Sequence, residues 1–244
     1  MTDLTISAVR GLPELREEDD LAPLIVERAK LQDGDVLVVA QKAISKIEGR
    51  IVRLDVVEPS ARAQELAGEG EDDARRIEVI LREAKRIVRT RGALVIAETP
   101  HGFICASAGV DASNAPEPGT LVLLPVDPDA SAARLRDRLR ELTGCEVGVV
   151  VSDSFGRPWR QGTTDVAIGA AGVEVLRDLA GEHDPTGYEL KSTVIATADE
   201  IAAAAELVLG KLDRTPVAII RGVKASGEGR AQHLVMPPDR NLFP

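Results

Sequence analysis

The sequence is poor in the residues that mark several common classes of protein. Cys105 and Cys145 are its two cysteines in 244 residues. Cys105 lies in an apolar run, so we expect free thiols rather than a disulfide or a cysteine-based metal site. Aromatic residues make up 2% of the chain, and the formal net charge is -10. Base-stacking platforms and phosphate-neutralising patches are therefore not expected, which argues against a nucleic-acid partner.

Membrane and standard nucleotide-binding signals are also missing. No apolar stretch approaches membrane-spanning length, and the first ten residues lack a basic start followed by an apolar core. We therefore expect a cytoplasmic protein with no membrane partner. The chain contains neither GxxxxGK[ST] nor GxGxxG, and it has no HExxH or GxSxG. Its histidines, at positions 101, 183 and 233, are dispersed and are expected to be structural.

The apolar residues that are present predict a substantial core. They make up 44% of the chain, enough for one large domain over residues 1–244 or two closely packed subdomains. Apolar β-branched runs alternate with helical patterns, which predicts an α+β (mixed α/β) fold that is neither a Rossmann nor a P-loop fold. Predicted strands cover residues 4–9, 35–40, 93–97, 103–108, 121–124, 147–151, 193–196 and 217–220, with a hairpin around 100–102. Predicted helices cover residues 21–31, 71–90, 132–143 and 200–212, and Asp20, Ser131 and Asp199 are placed to cap three of them.

Two aspartates follow predicted strands that run into loops rich in glycine and charge. Ligands in layered α/β proteins gather beyond strand ends, so these loops form the candidate site. Asp111 and Asp153 would together suit a hard divalent cation, and Ser154 would add a hydroxyl oxygen. For either aspartate alone, closing a turn or capping a helix is an open alternative.

Basic and polar residues near these loops could hold an anion. Arg157 and Arg160 flank Trp159 just beyond Asp153, and their guanidinium groups suit a phosphate or a carboxylate. Lys46 could reach a polyphosphate, and Asn114 could hydrogen-bond a ligand. Ordinary surface pairs and turn residues explain the same pattern.

A third glycine-bearing loop follows the strand predicted at 217–220. Its glycines permit close approach of the backbone to an anion, and its polar residues supply charge and oxygen. A flexible surface loop explains this composition equally well. The residues concerned are Gly222, Lys224, Ser226, Gly227, Glu228 and Gly229.

These loops occur as an ordered series of motifs that spans nearly the whole chain. The series is GLPEL, SKIEGR, AGVDASN, LLPVDPDASA, VVVSDSFGRPWRQGTTDVAIGAAG, ADEIAAAAELVLGKL and the glycine loop that begins RG. It resembles the coenzyme F420:L-glutamate ligase family, also described as F420-0 gamma-glutamyl ligases.

The resemblance implies a distinctive α/β fold that forms a homodimer and binds GTP and divalent cations in a groove. By matching motif, Asp111, Asp153 and Ser154 would hold Mg²⁺ or Mn²⁺, with K⁺ as a further candidate ion. The GTP site would be lined by Leu12, Pro13, Glu14, Leu15, Gln41, Lys46 and Asn114 and completed by the glycine loop 222–229. Gln41 departs from the serine that relatives often carry. The chain ends without the nitroreductase-like domain of the fused form, so flavin chemistry is not expected.

The implied reaction is GTP-dependent addition of L-glutamate, through a gamma-glutamyl amide, to coenzyme F420-0 or its dehydro form. It would proceed through an acyl phosphate and could extend the glutamate tail, with Asp111, Asp153 and Lys46 as the catalytic residues. A metal-dependent phosphotransferase or phosphohydrolase is one alternative. A non-catalytic dimeric module that binds a nucleotide or deazaflavin is another.

Overall fold

The computed structural model describes residues 3–68 and 73–242 and confirms the predicted α+β fold. The helices are α1 Leu21–Val26, α2 Gln41–Ile47, α3 Ala61–Ala67, α4 Ala74–Glu83, α5 Pro128–Thr143 and α6 Thr197–Leu209. The strands are β1 Thr5–Ala8, β2 Val36–Ala40, β3 Ile51–Arg53, β4 Arg86–Arg91, β5 Leu94–Glu98, β6 Ile104–Ala106, β7 Thr120–Val122, β8 Gly148–Arg157, β9 Arg160–Ala171, β10 Arg177–Asp178, β11 Val194–Ile195 and β12 Val217–Arg221.

A mixed five-stranded sheet in the order β1-β12-β2-β8-β9 carries the core of the described residues. β2 and β8 are parallel, and the other neighbouring pairs are antiparallel. Leu37 and Val39 face a cluster that includes residues of α1 and α5, whereas Val36 and Val38 face a cluster that includes residues of α6. Because helices cover both faces, β2 is an unbroken apolar run rather than an alternating one.

A second layer packs α4 against the sheet β4-β5-β6. Ile77 and Ile80 of α4 are buried in a cluster with Val95 and Ala97 of β5. Truncating a fully buried isoleucine such as Ile80 to alanine would cost about 2 to 5 kcal/mol. This layer leads through β6 into the segment that carries Asp111.

The predicted caps have mixed outcomes. Asp20 does cap α1, because its side chain accepts from the N–H of Ala22 at 3.2 Å. The cap predicted at Ser131 is wrong: α5 begins at Pro128 with Asp127 as its N-cap, so Ser131 lies inside the helix. Asp199 does not cap α6, since its carboxylate instead accepts from the N–H of Ala167 on β9 at 2.9 Å.

The helix predicted at 71–90 is also wrong over its second half. Its first two residues lie outside the described part of the chain, and α4 ends at Glu83. The remainder forms β4, which pairs with β5 in antiparallel register. The β-branched residues Ile87, Val88 and Thr90 favour this extended pairing over a helix. The hairpin predicted around 100–102 is confirmed by the antiparallel pair β5-β6.

The region predicted as a loop after residue 151 is a long β-hairpin. β8 and β9 pair from Val149↔Ala171 to Arg157↔Arg160. Polar residues of both strands are therefore held in fixed register beyond the apolar half of the sheet.

Both cysteines are free thiols, as expected, with Cys105 buried and Cys145 partly buried. In the ranges 3–68 and 73–242, no helix is long and apolar enough to cross a membrane.

Candidate active site

A cavity of about 240 Å³ opens at the carboxyl ends of the parallel strands β2 and β8. Ala40 and Ser152 are paired at this edge, and α2 leaves β2 directly at Gln41. β12 runs antiparallel to β2, so its beginning, at Pro216 and Val217, lies at the same edge. The connection from α6 to β12 therefore closes one side of the cavity.

Acidic residues from three elements converge on this cavity. Asp165 of β9 lies opposite Ser154 of β8, and its carboxylate accepts from Ser152 Oγ at 2.8 Å and from Ser154 Oγ at 2.7 Å. The backbone N–H of Asp165 donates to Glu206 Oε2 of α6 at 3.2 Å. Asp153, between the two serines, completes the acidic lining.

The carboxyl group of Asp153 has a strongly perturbed pKa. Burial, together with the smaller effect of the charges of Asp165 and Asp111, raises this pKa from 3.8 to about 7. The backbone N–H of Ser154 and the charge of Lys42 act in the opposite direction. Asp153 is therefore a buried carboxylate whose neighbours repel its negative charge, an environment that favours a bound cation.

Asp111 is paired with a lysine of the cavity wall. Lys42 Nζ lies 2.5 Å from Asp111 Oδ2, and Ser113 donates both its N–H and its hydroxyl to the same carboxylate. Burial alone would raise the pKa of Asp111, but these hydrogen bonds outweigh it and lower the pKa to about 2. Asp111 is thus ionised; it is not among the described residues that line the cavity, although its partner Lys42 is.

The opposite wall is basic and amide-rich. Lys46 follows Lys42 by one helical turn and forms an ion pair with Glu14. Gln41 is buried, and its Nε2 donates to Ser45 Oγ at 2.7 Å and to Leu123 O at 2.8 Å. Internal hydrogen bonds therefore hold this amide at the wall of the cavity.

The donor set suits a hard divalent cation. Asp153, Ser154 and Glu206 line the cavity and offer oxygen atoms, and Asp111 is the ion-pair partner of the lining residue Lys42. In the described part of the chain, no group of three or more histidine, cysteine, aspartate or glutamate side chains is arranged to hold a metal ion by itself. Mg²⁺ is commonly bound by one or two carboxylates together with substrate phosphates, so an open donor set of this kind is compatible with it.

Most of the residues predicted for the site meet at this cavity. Its lining includes Leu12, Pro13, Glu14, Leu15, Gln41, Lys46, Asn114, Asp153 and Ser154. Asn114 adopts a φ of 55°, and its side chain donates to Lys211 O at 3.4 Å. The segment that precedes β7 and the loop after α6 are thereby joined beside the cavity.

The glycine loop is placed elsewhere. β12 ends at the opposite edge of the sheet, so Gly222, Lys224, Ser226, Gly227, Glu228 and Gly229 are not among the described residues that line this cavity. The loop instead pairs with 173–175, through Glu174 N to Ala225 O at 2.7 Å and Gly229 N to Val173 O at 2.9 Å. Its glycines permit close packing against that segment rather than against a ligand of this cavity.

The hairpin arginines are also outside the described cavity lining. Arg157 donates to Gln161 O at 3.0 Å near the tip, and Trp159 is exposed at the turn. The prediction that the arginines hold a phosphate gains no support from this arrangement within one copy of the chain.

The sequence interpretation missed several residues of the cavity. Lys42 had a usable signal, because it precedes Lys46 by four residues and would share its face if 41–47 were read as a helix. Glu206 looked like a solvated helix residue, and only the packing of α6 on β9 brings it inward. The others are Ala40, Ala43, Ser152, Asp165, Leu209, Gly210, Lys211, Arg214, Thr215 and Pro216.

An α+β fold with a cavity of acidic and basic groups at its strand ends defines a protein that binds small charged ligands. The family model described as F420-0:Gamma-glutamyl ligase matches residues 11–222, and the chain belongs to this family. It is 48% identical to the coenzyme F420:L-glutamate ligase of Methanopyrus kandleri, over 96% of this chain and 99% of that protein. Identity to the proteins of the same name is 44% for Archaeoglobus fulgidus and 43% for Methanocaldococcus jannaschii, over 96% and 93% of this chain and 94% and 91% of theirs.

Proposed function

We propose that this protein is a GTP-dependent ligase that joins L-glutamate to coenzyme F420-0 through a gamma-glutamyl amide. The observation that carries the proposal is the buried Asp153, held with other carboxylates opposite Lys46 in one cavity. The names of the relatives, each a coenzyme F420:L-glutamate ligase, supply the substrates. We further propose that the enzyme works as a cytoplasmic homodimer, on F420-0 or its dehydro form.

Activation of a carboxylate by a nucleotide explains why such a cavity needs both acidic and basic side chains. An acceptor carboxylate oxygen attacks the gamma-phosphorus of GTP, the bond to the beta-phosphate oxygen breaks, and GDP leaves. The glutamate amine then attacks the acyl carbon, loses a proton and expels phosphate. Lys46 and Lys211, which line the cavity together with the 12–15 segment, would hold the polyphosphate.

The acidic residues have a different role in this proposal. Asp111, Asp153 and Ser154, as predicted, together with Glu206, would hold Mg²⁺ or Mn²⁺. A divalent cation there supplies neutralisation of the charge on the phosphoryl oxygens. Asp165 orients Ser154 through the 2.7 Å hydrogen bond between their side chains.

Product analysis tests the proposal. Mass spectrometry of a reaction with F420-0, L-glutamate, GTP and Mn²⁺ should show a glutamate-extended coenzyme together with GDP and phosphate. Controls without metal, and with ATP in place of GTP, should give little product. GDP and phosphate without any extended coenzyme would instead indicate a phosphohydrolase, and ligand binding without nucleotide consumption would indicate a non-catalytic module.

Replacing Asp153 with Asn should lower ligation by about a hundredfold or more, because a neutral amide holds a cation poorly while filling the same space. The variant should be compared with Asp137→Asn, which removes an exposed aspartate of α5. Ligation rates would be measured across a Mn²⁺ titration. A normal rate for Asp153→Asn at saturating metal would disprove the assigned role.

A further inference from the structure

Lys42 lines the cavity, and its ammonium contacts an acidic residue assigned to the cation site. Its ammonium is 2.5 Å from Asp111 Oδ2 and donates to Ser113 Oγ at 2.8 Å, while Ser113 Oγ donates to the same Oδ2 at 2.7 Å. The lysine side chain is only 17% exposed. The Asp111 oxygen that a divalent cation would need is therefore already engaged by a positive charge of the protein.

The same ammonium acts on the second carboxylate of the site. Its charge opposes the rise in the pKa of Asp153 that burial causes. Lys46, one turn further along α2, instead pairs with Glu14 at the other wall. Of these two lysines, Lys42 is the one directed at the carboxylates assigned to the cation.

A lysine is well suited to a temporary role of this kind. Buried carboxylates without a counter-charge are costly, so a metal-free site needs a positive group. The ammonium sits on a flexible four-carbon stem and can move away by rotamer changes, whereas a divalent cation and an ammonium cannot share one carboxylate oxygen without repulsion.

We propose that Lys42 is a built-in counter-cation of the metal-free site and that its ammonium must leave Asp111 before a divalent cation can bind there. This inference rests on the cation site of the proposed function. It predicts that Lys42 weakens cation binding in the absence of nucleotide while it stabilises the metal-free protein.

The test is a Mn²⁺ titration without nucleotide, with free Mn²⁺ followed by electron paramagnetic resonance. The neutral variants Lys42→Met and Lys42→Gln should bind Mn²⁺ at least about fivefold more tightly than the parent, a change that corresponds to about 1 kcal/mol. Lys42→Arg, which keeps the charge, should stay within about twofold of the parent. Lys46→Met removes the same charge from the same helix and should also stay within about twofold, because Lys46 does not contact Asp111.

Thermal unfolding provides a second test of the same inference. Metal-free Lys42→Met and Lys42→Gln should have lower melting temperatures than the parent, and saturating Mn²⁺ should raise them by more than it raises the parent. Merely structural damage would weaken cation binding rather than tighten it.

The outcomes separate this inference from the site on which it rests. If the parent binds Mn²⁺, Asp153→Asn does not, and both neutral Lys42 variants bind no more tightly than the parent, the counter-cation role is overturned while the cation site stands. If neither the parent nor the neutral Lys42 variants bind Mn²⁺, the cation site and the inference both fail. If Lys46→Met bound Mn²⁺ more tightly to the same degree, the counter-cation role of Lys42 would also be overturned. The loss of any one positive charge would then explain the effect.

Discussion

Lys46 is a single side chain on which the nucleotide part of the proposal can be tested. It lines the cavity and pairs with Glu14 of the 12–15 segment, so its ammonium faces the space in which a polyphosphate would lie. Lys46→Ala should raise the apparent KM for GTP by about tenfold, equivalent to about 1.4 kcal/mol, with little change in the KM for glutamate. Steady-state kinetics with each substrate varied in turn would measure this.

The matched control for that variant is Lys85→Ala. Lys85 is also an ion-paired lysine, more exposed than Lys46, but it pairs with Glu98 on the sheet β4-β5-β6 and is not part of the cavity lining described above. It should leave both KM values unchanged. A change confined to the KM for glutamate in Lys46→Ala would contradict the assignment of Lys46 to the nucleotide.

Asp199 predicts a pH effect on stability that is independent of catalysis. Burial raises its pKa above the ordinary 3.8, although its carboxylate accepts from the N–H of Ala167. An acid whose pKa is higher in the folded state loses stability as pH rises from the unfolded pKa through the folded pKa, because the unfolded chain ionises first. Asp199→Asn keeps an acceptor oxygen and cannot ionise, so it should become progressively more stable than the parent as pH rises above about 4.

Urea unfolding of both proteins at a series of pH values would measure this difference. The stability advantage of the variant should level off once the pH exceeds the folded pKa of Asp199. An advantage that does not change with pH would show that the substitution acts through packing rather than through ionisation.

At the scale of elements, Gly169 fixes how closely α5 approaches the central sheet. A Cβ at this position of β9 would lie 2.3 Å from Pro128 O, at the first residue of α5, so the backbone itself would have to move. Gly169→Ala should therefore destabilise the protein by about 1 to 3 kcal/mol or more. Gly156→Ala on β8 is the control, because nothing lies within 4 Å of its added Cβ.

Chemical denaturation of the two alanine variants would measure the difference. Equal stability of the two would contradict the close approach of α5 to β9. The close approach of α5 to β9 is also supported by Asp129 of α5, whose Oδ1 accepts from the N–H of Ala170 on β9 at 2.8 Å.

The elements that the sequence predicted well are those whose signal is local. The apolar runs of β2, β5 and β12 and the Asp20 cap were read correctly because burial on both faces and capping chemistry leave a pattern within a few residues. α2 was missed, since it follows β2 at Ala40 without a polar cap and is seven residues long. The β8-β9 hairpin was missed because Trp159 takes its turn with a φ of 57°, where Gly or Asn would have signalled it.

At the scale of the whole molecule, strand direction decided which predicted loops meet. Asp153 and Asn114 line one cavity, and Asp111 pairs with its Lys42, because β8 is parallel to β2 and the 107–114 segment returns to the same edge. The 222–229 loop does not join them, because β12 is antiparallel to β2 and carries it to the opposite edge. A single sequence shows where strands end but not which way each runs in the sheet, so this error could not be avoided from motif order alone.

The cavity also ties together parts of the chain that are far apart in sequence, and ligand binding should therefore stabilise the whole fold. The 12–15 segment, α2, β8, β9 and the end of α6 all contribute to its lining. A ligand at a hundred times its Kd adds about 2.7 kcal/mol to the free energy of unfolding. For a chain of this size, that corresponds to a rise in Tm of about 5 to 10 °C.

GTP with Mn²⁺ should produce such a rise in differential scanning calorimetry, and GTP with a metal chelator should produce a clearly smaller one. Asp153→Asn should lose the Mn²⁺-dependent part of the rise while keeping the part that GTP alone gives, because Lys46 and the 12–15 segment are unchanged in that variant. An equal rise for the parent protein with and without Mn²⁺ would mean that nucleotide and cation do not share this cavity. A full Mn²⁺-dependent rise in Asp153→Asn would place the cation on other residues.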